Sequence, residues 1–185
     1  MGKNTTLIVG LLAVALLVSA MGTLTAVTKM TGLSVEGTTH AEVEIELTVT
    51  LPVSSINFPA MYINDQADTS DDNPLPFVVE NDGSVNVDVA LSSTPVFSTQ
   101  AAASSYYNVS CRSAVGYERG VTCGLGSVTT PIQMPVNAGA IKIIGTLPFA
   151  DTGDRNKVDI YIVVPIKEPV NDISATVTFT ASQTS

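Results

Sequence analysis

The sequence predicts an all-β protein: an antiparallel β-sandwich of the Ig-like or jelly-roll kind, preceded by one N-terminal hydrophobic helix. Three observations carry this reading. Beyond residue 40, apolar and polar side chains alternate with period two, as in a strand with one dry and one wet face. Prolines 52, 59, 74, 76, 95, 131, 135, 148, 165 and 169 fall mostly between those runs, because a residue without an N–H disrupts a hydrogen-bonded ladder. Charged residues make up only 14% of the chain against 45% apolar, with Thr, Ser, Val and Ala filling the gap, a mix typical of exported β-rich proteins.

The first element is the run from Leu7 to Val27, nearly all apolar or small and preceded by Lys3. A positive start followed by a hydrophobic helix is an export signature, and the run is long enough to span a bilayer. Three fates compete. A signal peptidase could cut after Ala20 or Ala26, where small residues sit at the right offsets. The helix could stay as a membrane anchor. A pilin-type cut near Gly2-Lys3 would leave it to form the core of a filament. The domain division that follows is 1–30 for this segment and 31–185 for the sandwich.

The strands come next. From His40 to Leu51, Val43, Ile45, Leu47 and Val49 point one way, and Glu42, Glu44, Glu46 and Thr48 the other. Phe77 to Leu91 reads as a hairpin: Phe77–Glu80, a turn at Asn81-Asp82-Gly83, then Val85, Val87, Val89 and Leu91 on the return arm. Later strands are expected over 140–147, 158–164 and 173–181. In the last, Ile173, Ala175, Val177, Phe179 and Ala181 alternate with a β-branched Thr face. Weaker strands are expected over 53–58 and 128–134, and one short helix is possible over 99–107. About seven strands between turns read as a sandwich.

Cys111 and Cys123 are the only cysteines, and in an exported chain they predict one disulfide. No C-x-x-C occurs, so zinc and thioredoxin-type chemistry lack support. The net charge of −9 disfavours nucleic acid, whose phosphates it repels.

Catalysis finds little to work with. His40 is the single histidine, it sits at the start of a strand, and no Gly-x-Ser-x-Gly elbow exists for a triad to use. Zinc hydrolase motifs need paired histidines. The reading is therefore non-enzymatic, with no cofactor. The candidate metal site is calcium at Asp65, Asp68, Asp71 and Asp72, where oxygen donors crowd within residues 64–73 without EF-hand spacing; a second acidic loop, Asp151-Thr152-Gly153-Asp154, is shorter. Sequons fall at Asn4 and at Asn108-Val109-Ser110; Asn108, expected in a surface loop beside Cys111, is the candidate glycan site.

Two stretches carry a resemblance. Pro76-Phe77-Val78-Val79-Glu80-Asn81-Asp82-Gly83-Ser84-Val85-Asn86-Val87-Asp88-Val89 and the tail from Val164 to Ala181 are similar to small secreted archaeal β-sandwich proteins. The architecture resembles TasA-type and archaeal bundling-pilus subunits, exported jelly-roll-like domains that polymerise by donor-strand exchange. The likeness covers about half the body, and it rests on turns and strands. It implies an extracellular, cell-surface filament subunit whose main partner is a further copy of itself. The membrane would be met only during export or through the N-terminal helix.

Two functions follow as expectations. In the first, the strand carrying Val43, Ile45, Leu47 and Val49 completes a neighbour's sheet, or the helix packs in a filament core. The second is an anchored or secreted adhesin or carbohydrate-binding module, with Tyr106, Tyr107 and Tyr117 as its aromatic patch.

Overall fold

Why the chain folds into two sheets is visible in its longest strands. The computed structural model describes residues 45–100, 104–116 and 120–184. The predicted N-terminal helix, Asn4, His40, Val43 and Tyr117 lie outside them. Nine strands form among the described residues: β1 (Val49–Val53), β2 (Gln66–Asp68), β3 (Phe77–Asn81), β4 (Val87–Ser93), β5 (Tyr107–Arg112), β6 (Ile132–Gln133), β7 (Ile141–Leu147), β8 (Arg155–Val163) and β9 (Val177–Gln183). In β4, Val87, Val89, Leu91 and Ser93 are buried and the residues between them half-buried. In β8, Val158, Ile160 and Ile162 join the core while Lys157, Asp159 and Tyr161 take the opposite face.

The larger sheet runs β1-β3-β8-β5-β6, with β2 also paired to β8; the smaller runs β7-β4-β9. All pairings between these strands are antiparallel. The two inner faces share one core, including Val79, Leu91, Phe97, Val109, Met134, Ile144, Leu147 and Val158, all at most 1% exposed. Phe77 of β3 and Phe179 of β9 meet edge to face across it, ring centroids 5.5 Å apart. The described residues are thus all-β, two antiparallel sheets face to face, and contain no helix.

Ile143 and Ile144 are consecutive yet both fully buried, which simple alternation forbids. The β4–β7 register slips between Val89 and Ala90, where Ile144 and Lys142 are the partners. The extra residue is a bulge, and it turns both isoleucines inward.

The predicted hairpin over 77–91 is not formed. Strand β3 pairs with β1 and β8, whereas β4 pairs with β7 and β9, so residues 82–86 cross from one sheet to the other. Five residues easily span the ~10 Å between stacked sheets. Asn81 holds the corner: its Nδ2 donates to Val85 O (2.9 Å) and Leu147 O (3.0 Å), and its Oδ1 accepts from Gly83 N (3.0 Å).

Of the first predicted strand, residues 40–44 lie outside the described residues, and 45–48 are not in a strand. Pairing begins at Val49, opposite Asn81. Residues 45–48 run beside the corner, where Asp82 N donates to Thr48 O and Ser84 N to Glu46 O. Gly83 is required there, since a Cβ would lie 2.5 Å from Glu46 O. The final strand keeps its predicted phase but spans Val177–Gln183 rather than starting at 173. Of 53–58 only Val53 is in a strand, and of 128–134 only Ile132–Gln133.

Candidate functional site

The acidic stretch is the first surprise of the outer surface. It contains strand β2, paired to the far half of β8, and the turn after it folds over the outer face of the larger sheet. Thr69 anchors the turn from beneath. Its N–H donates to Ile160 O (3.1 Å), its hydroxyl to Asp159 Oδ1 (3.0 Å), and it accepts from Ile160 N (3.1 Å). Asp159 is fully buried by this cover. Arg112 of β5 donates from Nε to Asp159 Oδ2 (2.7 Å), and from Nη2 to Asp72 Oδ1 (2.7 Å) and Thr69 O (3.1 Å). Lys157 Nζ sits 2.9 Å from both oxygens of Asp72.

Two cations therefore answer two carboxylates, and burial is tolerable because the charges are paired. The hydrogen bond from Arg112 holds the Asp72 carboxyl below its ordinary value, against burial and with help from Lys157. Arg112 is raised in turn, above all by its hydrogen bond to Asp159. The arrangement is a strap that ties the 69–72 turn to β5 and β8.

The four candidate calcium ligands do not converge. Asp72 faces Arg112 and Lys157; Asp65 accepts from Tyr62 N (2.7 Å), Asp68 from Ser70 N (2.9 Å) and Asp71 from Asn73 N (3.0 Å). Among the described residues no three His, Cys, Asp or Glu side chains are grouped to hold a metal ion.

Cys111 and Cys123 are bonded, with Cα atoms 6.3 Å apart. The bond draws the loop after β5 over one margin of the sandwich. Val128 then bridges the two sheets: its O accepts from Cys111 N (2.6 Å) and its N–H donates to Ile143 O (3.0 Å). Ser127 Oγ accepts from Gly145 N (2.8 Å). The loop lies so close to β7 that a Cβ on Gly145 would sit 2.0 Å from Leu125 O.

Other predicted site residues move. Asn108 lies inside β5, not in a loop, opposite Tyr161, and its Nδ2 donates to Ser105 O (2.8 Å). Tyr107 is not a surface residue: it is 5% exposed, its hydroxyl lies 3.1 Å from Ser93 Oγ, and burial pushes its phenol pKa up. Tyr106 packs half-buried against the core. Among the described residues the exposed tyrosine is Tyr62, which alternation did not single out. A hollow of about 330 Å³ opens between Pro95–Ser98 and Asn171–Ser174. Of its two carboxylates, Glu168 and Asp172, Glu168 is bound by Ser98 N (2.7 Å) and by Thr99 N (3.1 Å) and Oγ1 (2.6 Å). Burial pulls that carboxyl upward, but these hydrogen bonds outweigh it and leave it below its ordinary value.

The sheet margins differ sharply in how they are guarded. Edge strand β1 contains Pro52, which has no N–H to offer, and its register slips between Thr50 and Val53. Strand β6 is two residues long. The outer side of β7 is covered by Ser127 and Val128. Strand β9 has none of these devices. It runs seven residues in unbroken register with β4, carries no Pro, charge or bulge, and has no second partner among the described residues. Of the predicted assembly residues, Val49 pairs within its own sandwich, while Ile45 and Leu47 are exposed.

The chain matches no family model, no curated protein and no solved structure.

Proposed function

We propose that this protein is a non-enzymatic structural subunit of an extracellular surface filament, a jelly-roll-like sandwich that assembles through its N-terminal segment. The observation that carries the reading is the pair Ile45 and Leu47. They are 54% and 47% exposed at the point where the chain joins the sandwich, in the same phase as Val49, so much of their apolar surface stays open among the described residues. A second copy supplies that cover. The paired charges support a scaffold role: Arg112, Asp72, Asp159 and Lys157 are held in mutual ion pairs and serve to fasten a loop. The adhesin alternative loses Tyr107 from its aromatic patch, because that ring lies in the core.

The test compares the full chain with one that starts at Ile45, by size-exclusion chromatography, circular dichroism and negative-stain imaging. The full chain forms filaments. The shortened chain keeps the hydrogen bonds of Glu46 and Thr48 to the corner, stays folded and is monomeric. Filaments from the folded, shortened chain overturn the reading.

A further inference from the structure

We propose that β9 is the edge at which a second copy of this chain adds a strand, and that the added strand is the segment leading into Ile45, running antiparallel to β9. This rests on the filament reading and assigns the receiving surface.

The orientation of β9's hydrogen-bonding groups follows from its flanks. Thr94 N donates to Thr176 O and Thr184 N to Asn86 O, both in the register of the β4–β9 ladder. In an antiparallel ladder each residue turns its N–H and C=O to the same neighbour, and successive residues alternate. Even-numbered residues of β9 therefore face β4. Val177, Phe179, Ala181 and Gln183 direct their backbone groups to the open edge. The side chains of Val177, Phe179 and Ala181 are only half-buried against the core, so an added strand gains ladder hydrogen bonds and apolar cover together.

Direction selects the occupant. Val49, Asn81, Arg155 and Gln183 share one end of the sandwich, the lower end. The chain joins β1 from below, and β9 runs downward to finish there. To line its own β9 and turn directly into β1, the segment would descend parallel to β9, in a fold whose strand pairings are otherwise antiparallel. Reaching down onto a copy stacked below, the same segment rises along that copy's β9, antiparallel to it. Each of the two ends that then meet carries exposed apolar side chains among its charged ones. The lower end presents Ile45, Leu47 and Phe149, and the upper end Tyr62, Ile63 and Ile166, 82%, 48% and 64% exposed. Such a contact joins different surfaces of each copy, so it grows head to tail without closing.

The experiment uses the full chain in two arms. In the first, variants with one added cysteine each, Ile45→Cys and Val177→Cys, are mixed and oxidised with the Cys111–Cys123 bond intact. Covalent pairs containing one of each are expected. Pairs from Val177→Cys alone mean that β9 meets β9 and overturn the proposal. Ring closure within single molecules of the double variant, in place of pairing, also overturns it. In the second arm, Ala181→Pro removes an edge-facing N–H without touching the β4 ladder. Loss of sedimentable polymer with an unchanged circular dichroism spectrum is expected. A folded Ala181→Pro that polymerises like the parent overturns the proposal, and if that variant does not fold the cysteine arm decides. A parent chain that forms no polymer at all fails the filament reading, and this inference with it.

Discussion

Arg112 and Asp159 face each other on the outer side of the larger sheet, Nε to Oδ2 at 2.7 Å, and the turn at Thr69 closes over the carboxylate. Asp159 has no exposed surface, while the Arg112 side chain keeps 30% of its own. The pair is the floor on which the acidic turn rests.

Breaking it from one side should be costly. Asp159→Ala leaves Arg112 and the Thr69 hydroxyl without their buried acceptor, and the expected loss is about 3 kcal/mol. Urea unfolding measures it. The double variant Arg112→Ala, Asp159→Ala should lose less than the sum of the two singles, because each single strands a partner that the double removes.

Acid should loosen the same strap. Asp72 titrates below its ordinary 3.8, chiefly through the hydrogen bond from Arg112. Glu168 titrates below its ordinary 4.5, its hydrogen bonds outweighing burial. A depressed folded value contributes stability that is present above the unfolded value and lost as pH falls through the folded one. The melting temperature should therefore drop as pH is lowered past 4.5 and then 3.8. Asp72→Asn should flatten the lower part of that slope and leave the upper part, which belongs to Glu168.

The corner residue gives a third test. Asn81→Ala removes two donors and one acceptor at a nearly fully buried site, taking one hydrogen bond each from Leu147 O and Val85 O. A loss of about 1–3 kcal/mol is expected in thermal or urea melts. Asn81→Asp should be worse than Ala, since it sets a carboxylate against two carbonyl oxygens.

Gly145→Ala probes the sealed margin. The new Cβ would overlap Leu125 O at 2.0 Å, so the loop must retreat from β7. About 1–3 kcal/mol of stability should be lost. Amide exchange at Val128, whose N–H donates to Ile143 O, should accelerate more than exchange in β4.

Reducing the Cys111–Cys123 bond should lower stability by roughly 3 kcal/mol, because the short loop it closes regains its freedom in the unfolded chain. A denaturant titration with and without reductant measures this. Val128 should become less protected on reduction.

Much of the sandwich was legible in the residues themselves. Val87, Val89 and Leu91 alternate with Asp88 and Ala90, and that alone assigns the inward face of β4. The same holds for Val177, Phe179 and Ala181 in β9. Two cysteines left one pairing to make. The candidate site was less legible. Asp72 looked like a cation ligand because its neighbours in the chain are acidic, while the residues that claim it, Arg112 and Lys157, lie 40 and 85 positions away.

Local alternation decided which side of each strand is dry, since a side chain's preference for oil or water acts on that residue alone. It could not decide which strand lies beside which, because backbone hydrogen bonds are the same whichever chain supplies them. Packing in three dimensions made Asn81 a corner between sheets rather than a hairpin turn, made the acidic stretch a strap, and left β9 as the bare edge among the described residues.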